Sequence, residues 1–352
     1  MNKVIITGSS GLVGSEAVQF FSKKKFNVIG IDNNFRKKLF GDTADNMPNL
    51  KMLKKKYKNF ENHNIDIRNF KSLKKIFKNN KNKIKCIIHA AAQPSHDWAA
   101  KDPFTDFSIN SQATLNLLEL TKKFCPKATF IFVSTNKVYG DRPNSLRLIE
   151  KKTRWEIHPK SKYLNGIDEN MSIDNCTHSL FGVSKSAADL MVQEYGKNFG
   201  INTGIFRAGC ITGPNHAGAE LHGFLNYIVK ANLTKKKYTI FGYKGKQVRD
   251  NIHSYDLINC FWEFFKKPRK GEIYNIGGGR KNSCSIIEVM EKIHSKTKIK
   301  FNYSKSTKNR VGDHIWYISN NKKFQKHYKH WKIKYNLDRI LDEIILSFKI
   351  NV

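Results

Sequence analysis

The chain of 352 residues has 63 Lys plus Arg against 29 Asp plus Glu, a formal net charge of +34, and is 39% hydrophobic with 24 Phe. That apolar content, spread along the whole length, excludes a disordered chain, and no run of about 18 apolar residues suits a membrane-crossing helix. The basic excess is 52 Lys to 11 Arg; base readout and bidentate phosphate gripping favour Arg, and no zinc, helix-turn-helix or RNA-recognition pattern is present, so the charge suits an anionic small molecule and not nucleic acid.

In chain order, strand-like runs are predicted at Lys3–Thr7, Val28–Asp32, Asn62–Asp66, Cys86–Ala90, Thr129–Ser134 and Asn202–Arg207, separated by segments with apolar residues at helical spacing, such as Leu115, Leu118 and Leu120. The early start of the first strand also reads against a signal peptide. Strand–helix alternation with nearly continuous apolar strands predicts an α/β fold: a doubly wound parallel Rossmann sheet. Residues 33–60 form a Lys/Asn-rich excursion and 141–176 an irregular insertion. Past Gly213 the elements shorten, which predicts a smaller C-terminal α/β substrate lobe; the expected division is 1–212 and 213–352, partly interleaved. The six cysteines show no CxxC pair and read as reduced thiols of a cytoplasmic protein. No His/Cys/Asp/Glu cluster has metal-ligand spacing, so no metal is predicted.

Gly8-Ser9-Ser10-Gly11-Leu12-Val13-Gly14 follows the first strand and opens a helix. The first Gly permits a tight turn, the second lets backbone approach a pyrophosphate, and the third lets helix and strand pack closely, while the helix N-terminus offers N–H groups to the phosphates. Asp32, 18 residues after Gly14, ends the second strand where a carboxylate accepts from an adenosine ribose diol and repels a 2′-phosphate. With Asn33 beside it, this predicts NAD as cofactor despite Arg36 four residues on. Asp66, with Ile67, is placed to touch an adenine edge, and the small residues Ala90, Ala91 and Ala92 would let the cofactor lie against backbone. His89 alone reads as a satisfied core histidine. Tyr274–Gly279 reads as a strand and turn of the small lobe, since no Lys-Ser/Thr follows as a P-loop requires.

Together with Ser134–Asp141 and Lys185, these motifs resemble the extended short-chain dehydrogenase/reductase family over essentially the whole chain. Gly213-Pro214-Asn215-His216, Leu221-His222-Gly223-Phe224 and Gly245–His253 look like its CDP-paratose (tyvelose) 2-epimerase branch. The resemblance implies a nucleotide-sugar isomerase with tightly held NAD, a transient keto sugar, hydride return to the opposite face, and a role in polysaccharide biosynthesis. By the same resemblance Thr135 is the catalytic Ser/Thr, Lys185 serves both the nicotinamide ribose and catalysis, and Arg249 and Arg310 clamp the diphosphate. Asn136 and Asn215 meet the substrate, and a homodimer forms through the helix carrying Lys185.

The departure is Phe181, where the family's Tyr-x-x-x-Lys motif carries the phenol that acts as general base. A phenyl ring transfers no proton, and such catalysis is worth about a hundred- to ten-thousand-fold in rate. A substitute base is the favoured explanation, with His178 first on spacing and Tyr163, His96, Asp97 and Cys210 as alternatives. A catalytically silent nucleotide-sugar-binding protein and a variant proton path stay open. A 4,6-dehydratase or 4-epimerase is the nearest rival enzyme; family dehydratases carry Asp-Glu after the catalytic Ser/Thr, where this chain has Asn136-Lys137.

Overall fold

The computed structural model describes residues 2–216, 223–307 and 312–350. The strands are β1 Lys3–Thr7, β2 Asn27–Ile31, β3 Phe60–His63, β4 Ile84–His89, β5 Thr129–Thr135, β6 Leu148–Glu150, β7 Trp155–Ile157, β8 Asn202–Ala208, β9 Cys210–Thr212, β10 Tyr238–Phe241, β11 Val248–His253, β12 Glu272–Ile276, β13 Ser283–Ser285, β14 Tyr303–Ser306 and β15 Trp316–Tyr317. The helices are α1 Leu12–Lys23, α2 Phe35–Phe40, α3 Met47–Lys56, α4 Phe70–Asn80, α5 His96–Lys101, α6 Pro103–Phe107, α7 Ala113–Phe124, α8 Leu180–Lys197, α9 Phe224–Leu233, α10 Ser254–Lys266, α11 Ile286–Thr297, α12 Lys322–His327 and α13 Leu337–Ile350. They fall into two compact units: Met1–Val138, Leu180–Arg207 and Ile258–Tyr274 form the first, and Tyr139–Ser179, Ala208–Leu257 and Asn275–Val352 the second.

The first unit is built on a seven-stranded sheet in the order β12-β8-β5-β4-β1-β2-β3. Pairs β3–β2, β2–β1, β1–β4 and β4–β5 are parallel, with Ile5 level with both Ile29 and Ile87. Val4, Ile5 and Ile6 have no solvent exposure, as a strand covered on both faces requires. Helices meet the sheet through one apolar stripe: α4 buries Leu73, Ile76 and Phe77 while its lysines face water, each buried side chain contributing about 1.5–3 kcal/mol. Phe21, Phe26, Trp262 and Phe265 interlock edge to face at 5.7–6.3 Å between ring centroids. Inside the same unit, Arg207 of β8 forks onto Asp189 of α8 at 3.0 and 2.9 Å, and Ser134 donates to that carboxylate at 2.6 Å. A charge buried to this depth is tolerated because the carboxylate is fully paired.

The Rossmann sheet stands as predicted, with shifts at its edges. The third strand is Phe60–His63, not Asn62–Asp66. It lies at the sheet edge and buries only Phe60, so its sequence lacks an apolar run, and Asp66 instead organises the turn after it. Residues 33–60 contain α2 and α3. Glu272–Ile276 is the outermost strand of the large sheet; the division between the units falls within it, with Glu272–Tyr274 in the first unit and Asn275, Ile276 and the glycine turn in the second.

In the second unit β11 pairs with β9, β13 and β15, and β10 with β14. Its core packs Leu225, Ile228 and Val229 of α9 with Val289 and Ile293 of α11 and Leu341 and Ile344 of α13. The insertion is ordered: β6 and β7 form an antiparallel hairpin. Arg154 beside it donates to Ser283 Oγ at 2.7 Å and lies 3.5 Å from Glu288. The buried Asp256 carboxylate caps Lys334 N and Tyr335 N, both at 3.0 Å.

Candidate cofactor and substrate sites

Thr7 leads β1 into the glycine loop, and the three glycines act differently. Gly8 has φ +68°, and a Cβ there would lie 2.8 Å from Ala91 N; only glycine makes this turn without strain. A Cβ on Gly14 would lie 1.9 Å from Gly8 O, so a side chain there would force loop and helix apart. Gly11 differs: a Cβ would meet nothing closer than Gly8 O at 3.4 Å. No side chain caps α1 at Gly11, which leaves its first-turn N–H groups, from Leu12 and Val13 onward, without a side-chain acceptor from that position, the arrangement that suits a pyrophosphate.

Asp32 directly follows β2 and accepts from Ser10 N at 2.9 Å, Ser10 Oγ at 2.6 Å and Asn34 N at 2.7 Å. These bonds fill three of the roughly four acceptor sites of a carboxylate and fix its position against the glycine loop. Asn33 accepts from Phe35 N at 3.2 Å and donates to Asp66 at 3.4 Å. Asp66 lies in a turn, where Arg68 contacts it through N at 2.9 Å, Nε at 3.0 Å and Nη2 at 2.7 Å. Burial alone would raise this carboxyl; the Arg68 bonds and charge hold it below the ordinary range. Arg68, whose guanidinium also lies 5.3 Å from the Phe35 ring centroid, went unnoticed in the sequence, where only its place two residues after Asp66 hinted at the pair. Ile67 is buried; Ala90 and Ala91 are half-buried and Ala92 exposed, just past β4. The glycine cradle and the placed carboxylate fit a dinucleotide.

His89 is a satisfied core histidine, as expected. Its Nδ1 is 2.7 Å from Thr7 Oγ1 and its Nε2 2.9 Å from Thr114 Oγ1. Thr114 spends its one hydroxyl proton on Asn110 O at 2.7 Å, so it accepts from Nε2–H; Thr7 then donates to Nδ1 while accepting from Ala91 N at 3.2 Å. Burial first, and the charge of Lys185 second, hold this imidazole down to about 3.

Thr135 closes β5, and its hydroxyl accepts from Lys137 N at 3.2 Å. Asn136 beside it is buried. On α8, Lys185 is 3% exposed; its Nζ donates to Val133 O at 2.9 Å and lies 4.2 Å from the Phe132 ring centroid. Burial pulls its ammonium down to about 7, against the upward pull of Asp189 and Asp106. One turn earlier, the buried Phe181 ring meets His96 edge on, centroids 5.1 Å apart. Beneath lies a buried polar bracket that sequence reasoning missed: Gln93 donates to Asp106 at 2.7 Å, and Asn110 donates to Asp106 at 3.0 Å and to Ser184 Oγ at 3.1 Å. Asn110 sits in a π-helical turn, Ser108–Gln112. No spacing signal marks this bracket, because its members come from three separate segments.

In the second unit, Arg249 on β11 forms an ion pair with Asp313 and donates to Val248 O at 2.8 Å. Asp250 takes no part; it faces inward, accepting from Ser319 N at 3.0 Å and Gly279 N at 3.1 Å. Asn215 lies half-buried after β9. Arg310 and the Leu221-His222 pair lie outside the described residues. His178 precedes α8, which begins at Leu180, so the helical spacing that favoured it over other bases does not hold; its Nδ1 is 3.8 Å from Cys176 Sγ.

A Rossmann sheet with a glycine-rich turn after β1 and a carboxylate at the end of β2 defines a fold of the short-chain dehydrogenase type. A family model described as NAD dependent epimerase/dehydratase matches residues 4–277, and the chain belongs to that family. It is 33% identical over 296 residues to CDP-paratose 2-epimerase of Salmonella typhi, covering 82% of each chain. It is 32% identical to dTDP-D-glucose 4,6-dehydratase of Dictyostelium discoideum over 79% of this chain and 58% of that protein. Among solved structures, a mutant UDP-glucuronic acid 4-epimerase from Bacillus cereus, in complex with UDP-4-deoxy-4-fluoro-glucuronic acid and NAD, superposes with a TM-score of 0.80 at 25% identity, covering 99% of this chain and 100% of that one. Among the described residues, no helix is long and apolar enough to cross a membrane.

Proposed function

We propose that the protein epimerises C2 of a CDP-linked sugar through a transient keto sugar. The observation that carries this reading is the likeness to CDP-paratose 2-epimerase over 82% of both chains; the glycine cradle and Asp32 support it. Gly8, Ser10, Gly11, Leu12, Val13 and Gly14 hold the pyrophosphate of NAD, Asp32 and Asn33 its adenosine ribose, Asp66 and Ile67 its adenine side, and Ala90–Ala92 and Lys185 its nicotinamide side. What NAD supplies when bound is reversible two-electron oxidation of a sugar carbinol. The Thr135 hydroxyl bonds the reacting oxygen, and the Lys185 ammonium favours its deprotonated form. Arg249 and Arg310 grip the diphosphate, with Asn136 and Asn215 on the substrate; Asp313, the present partner of Arg249, gives way to phosphate oxygens of the same charge.

Epimerisation is tested by incubating the protein with CDP-paratose in D2O. The expected product is the 2-epimer with no deuterium at C2; deuterium there indicates enolisation and overturns hydride return. A second reading, a nucleotide-sugar-binding protein without turnover, is favoured by Phe181 alone; CDP-paratose bound tightly but recovered unchanged would select it. The chain also forms a homodimer in this reading, through Leu180, Val183 and Leu190, apolar residues exposed along α8.

A further inference from the structure

We propose that His96 carries the sugar's hydroxyl proton in place of the phenol that Phe181 lacks; the inference rests on the epimerase reading. Phe181 and Lys185 are four residues apart on α8 and share a face. Lys185 reaches Val133 O, two residues before Thr135, so the Phe181 ring occupies the next turn along the same face. There the His96 ring abuts it at 5.1 Å and 70°. His96 opens α5, which follows β4, and β4 pairs in parallel with β5, the strand that Thr135 closes. Both residues thus leave the carboxyl ends of adjacent parallel strands, where such sheets bind their ligands.

The backbone that leads into His96 is held by hydrogen bonds. Ser95 caps α5 by accepting from Trp98 N at 3.2 Å, and Ser95 N donates to Gln93 Oε1 at 2.5 Å. Gln93 is in turn tied to Asp106. The imidazole itself is half-buried, while its neighbour Asp97 is exposed. An edge-to-face contact favours this orientation of the imidazole, which makes Phe181 a positioning residue. A phenol at 181 would present its oxygen to the same region, so one position supplies the base in relatives with Tyr and the other supplies it here.

In the step proposed, an imidazole nitrogen of His96 takes the hydroxyl proton and the O–H electron pair becomes the second carbon–oxygen bond. The carbon's hydrogen leaves with its pair to the family's oxidant, NAD. Reversal returns the hydrogen to the other face of the carbon and the proton to the oxygen.

The test compares the native chain, His96→Gln and the double variant His96→Gln/Phe181→Tyr with CDP-paratose, using CDP binding by calorimetry as the folding control. The expected result is a loss of about a hundred- to ten-thousand-fold in turnover for His96→Gln, with CDP affinity within threefold of native, and recovery of at least tenfold on adding the tyrosine. A second readout needs no turnover: the His96 imidazole NMR signal, assigned by its loss in His96→Gln, is expected to move with CDP-paratose and stay still with CDP alone. Full turnover in His96→Gln, no recovery in the double variant, or a signal blind to the sugar overturns the assignment. A native chain that leaves CDP-paratose unchanged while the His96 signal moves overturns the epimerase reading alone.

Discussion

At position 89 both imidazole nitrogens are claimed by threonine hydroxyls, so the ring is neutral and locked in one tautomer. Its folded pKa, about 3, lies below the unfolded value of about 6.5. Between those values the unfolded chain binds the extra proton, so this stability is present above about pH 6.5 and is lost as pH falls towards 3. Urea unfolding of the native chain and His89→Gln across that range is expected to show the native advantage shrinking with acid. Asp32 makes a second residue-scale case. Its bonds to Ser10 fix it beside the glycine loop, and Asp32→Ala is expected to weaken NAD binding about ten- to a hundred-fold, the worth of one or two charge-assisted hydrogen bonds. The preference for NAD over NADP, read by calorimetry with each, falls with it.

At the scale of elements, α8 presents two different faces. One buries Phe181, Ser184, Lys185, Ala188, Asp189 and Val192; the other leaves Val183 at 46% and Leu190 at 48% exposure, seven residues apart and on one line. Val183→Glu/Leu190→Glu is expected to leave far-ultraviolet circular dichroism unchanged and to halve the mass seen by light scattering; a native chain already of monomer mass would defeat the dimer. Elements also show what a sequence makes readable. β1 was legible to the residue because a β-branched run between Lys3 and Gly8 has one reading, whereas β3 was not, because an edge strand of Phe, Glu, Asn and His carries no alternation. The glycine loop and Asp32 were legible because cofactor chemistry dictates their spacing. The Arg249–Asp313 pair and the His96–Phe181 contact join residues 64 and 85 positions apart, a proximity that only the completed fold creates. The helical spacing assigned to His178 failed because α8 starts two residues later.

For the molecule as a whole, the net charge of +34 is a field and not a motif. A field of that sign raises the local concentration of anionic ligands near the surface and is screened beyond about 10 Å at 0.1 M salt. The association rate of CDP, measured by stopped flow, is expected to fall severalfold between about 50 and 500 mM salt while dissociation changes less. A rate indifferent to salt would leave the lysine excess without a role in ligand capture.

The chain passes between its two units at five junctions, and this fixes the order in which a ribosome can finish them. The outermost strand of the large sheet, β12, is made only after some three-quarters of the polypeptide has been synthesised. Until then the nascent sheet carries β8 with an open hydrogen-bonding edge, the kind of surface that recruits neighbouring chains. Translation that stalls before Glu272 therefore yields a sticky fragment, not a smaller working enzyme, and no cut at a single peptide bond separates this protein into two halves that each contain a whole unit.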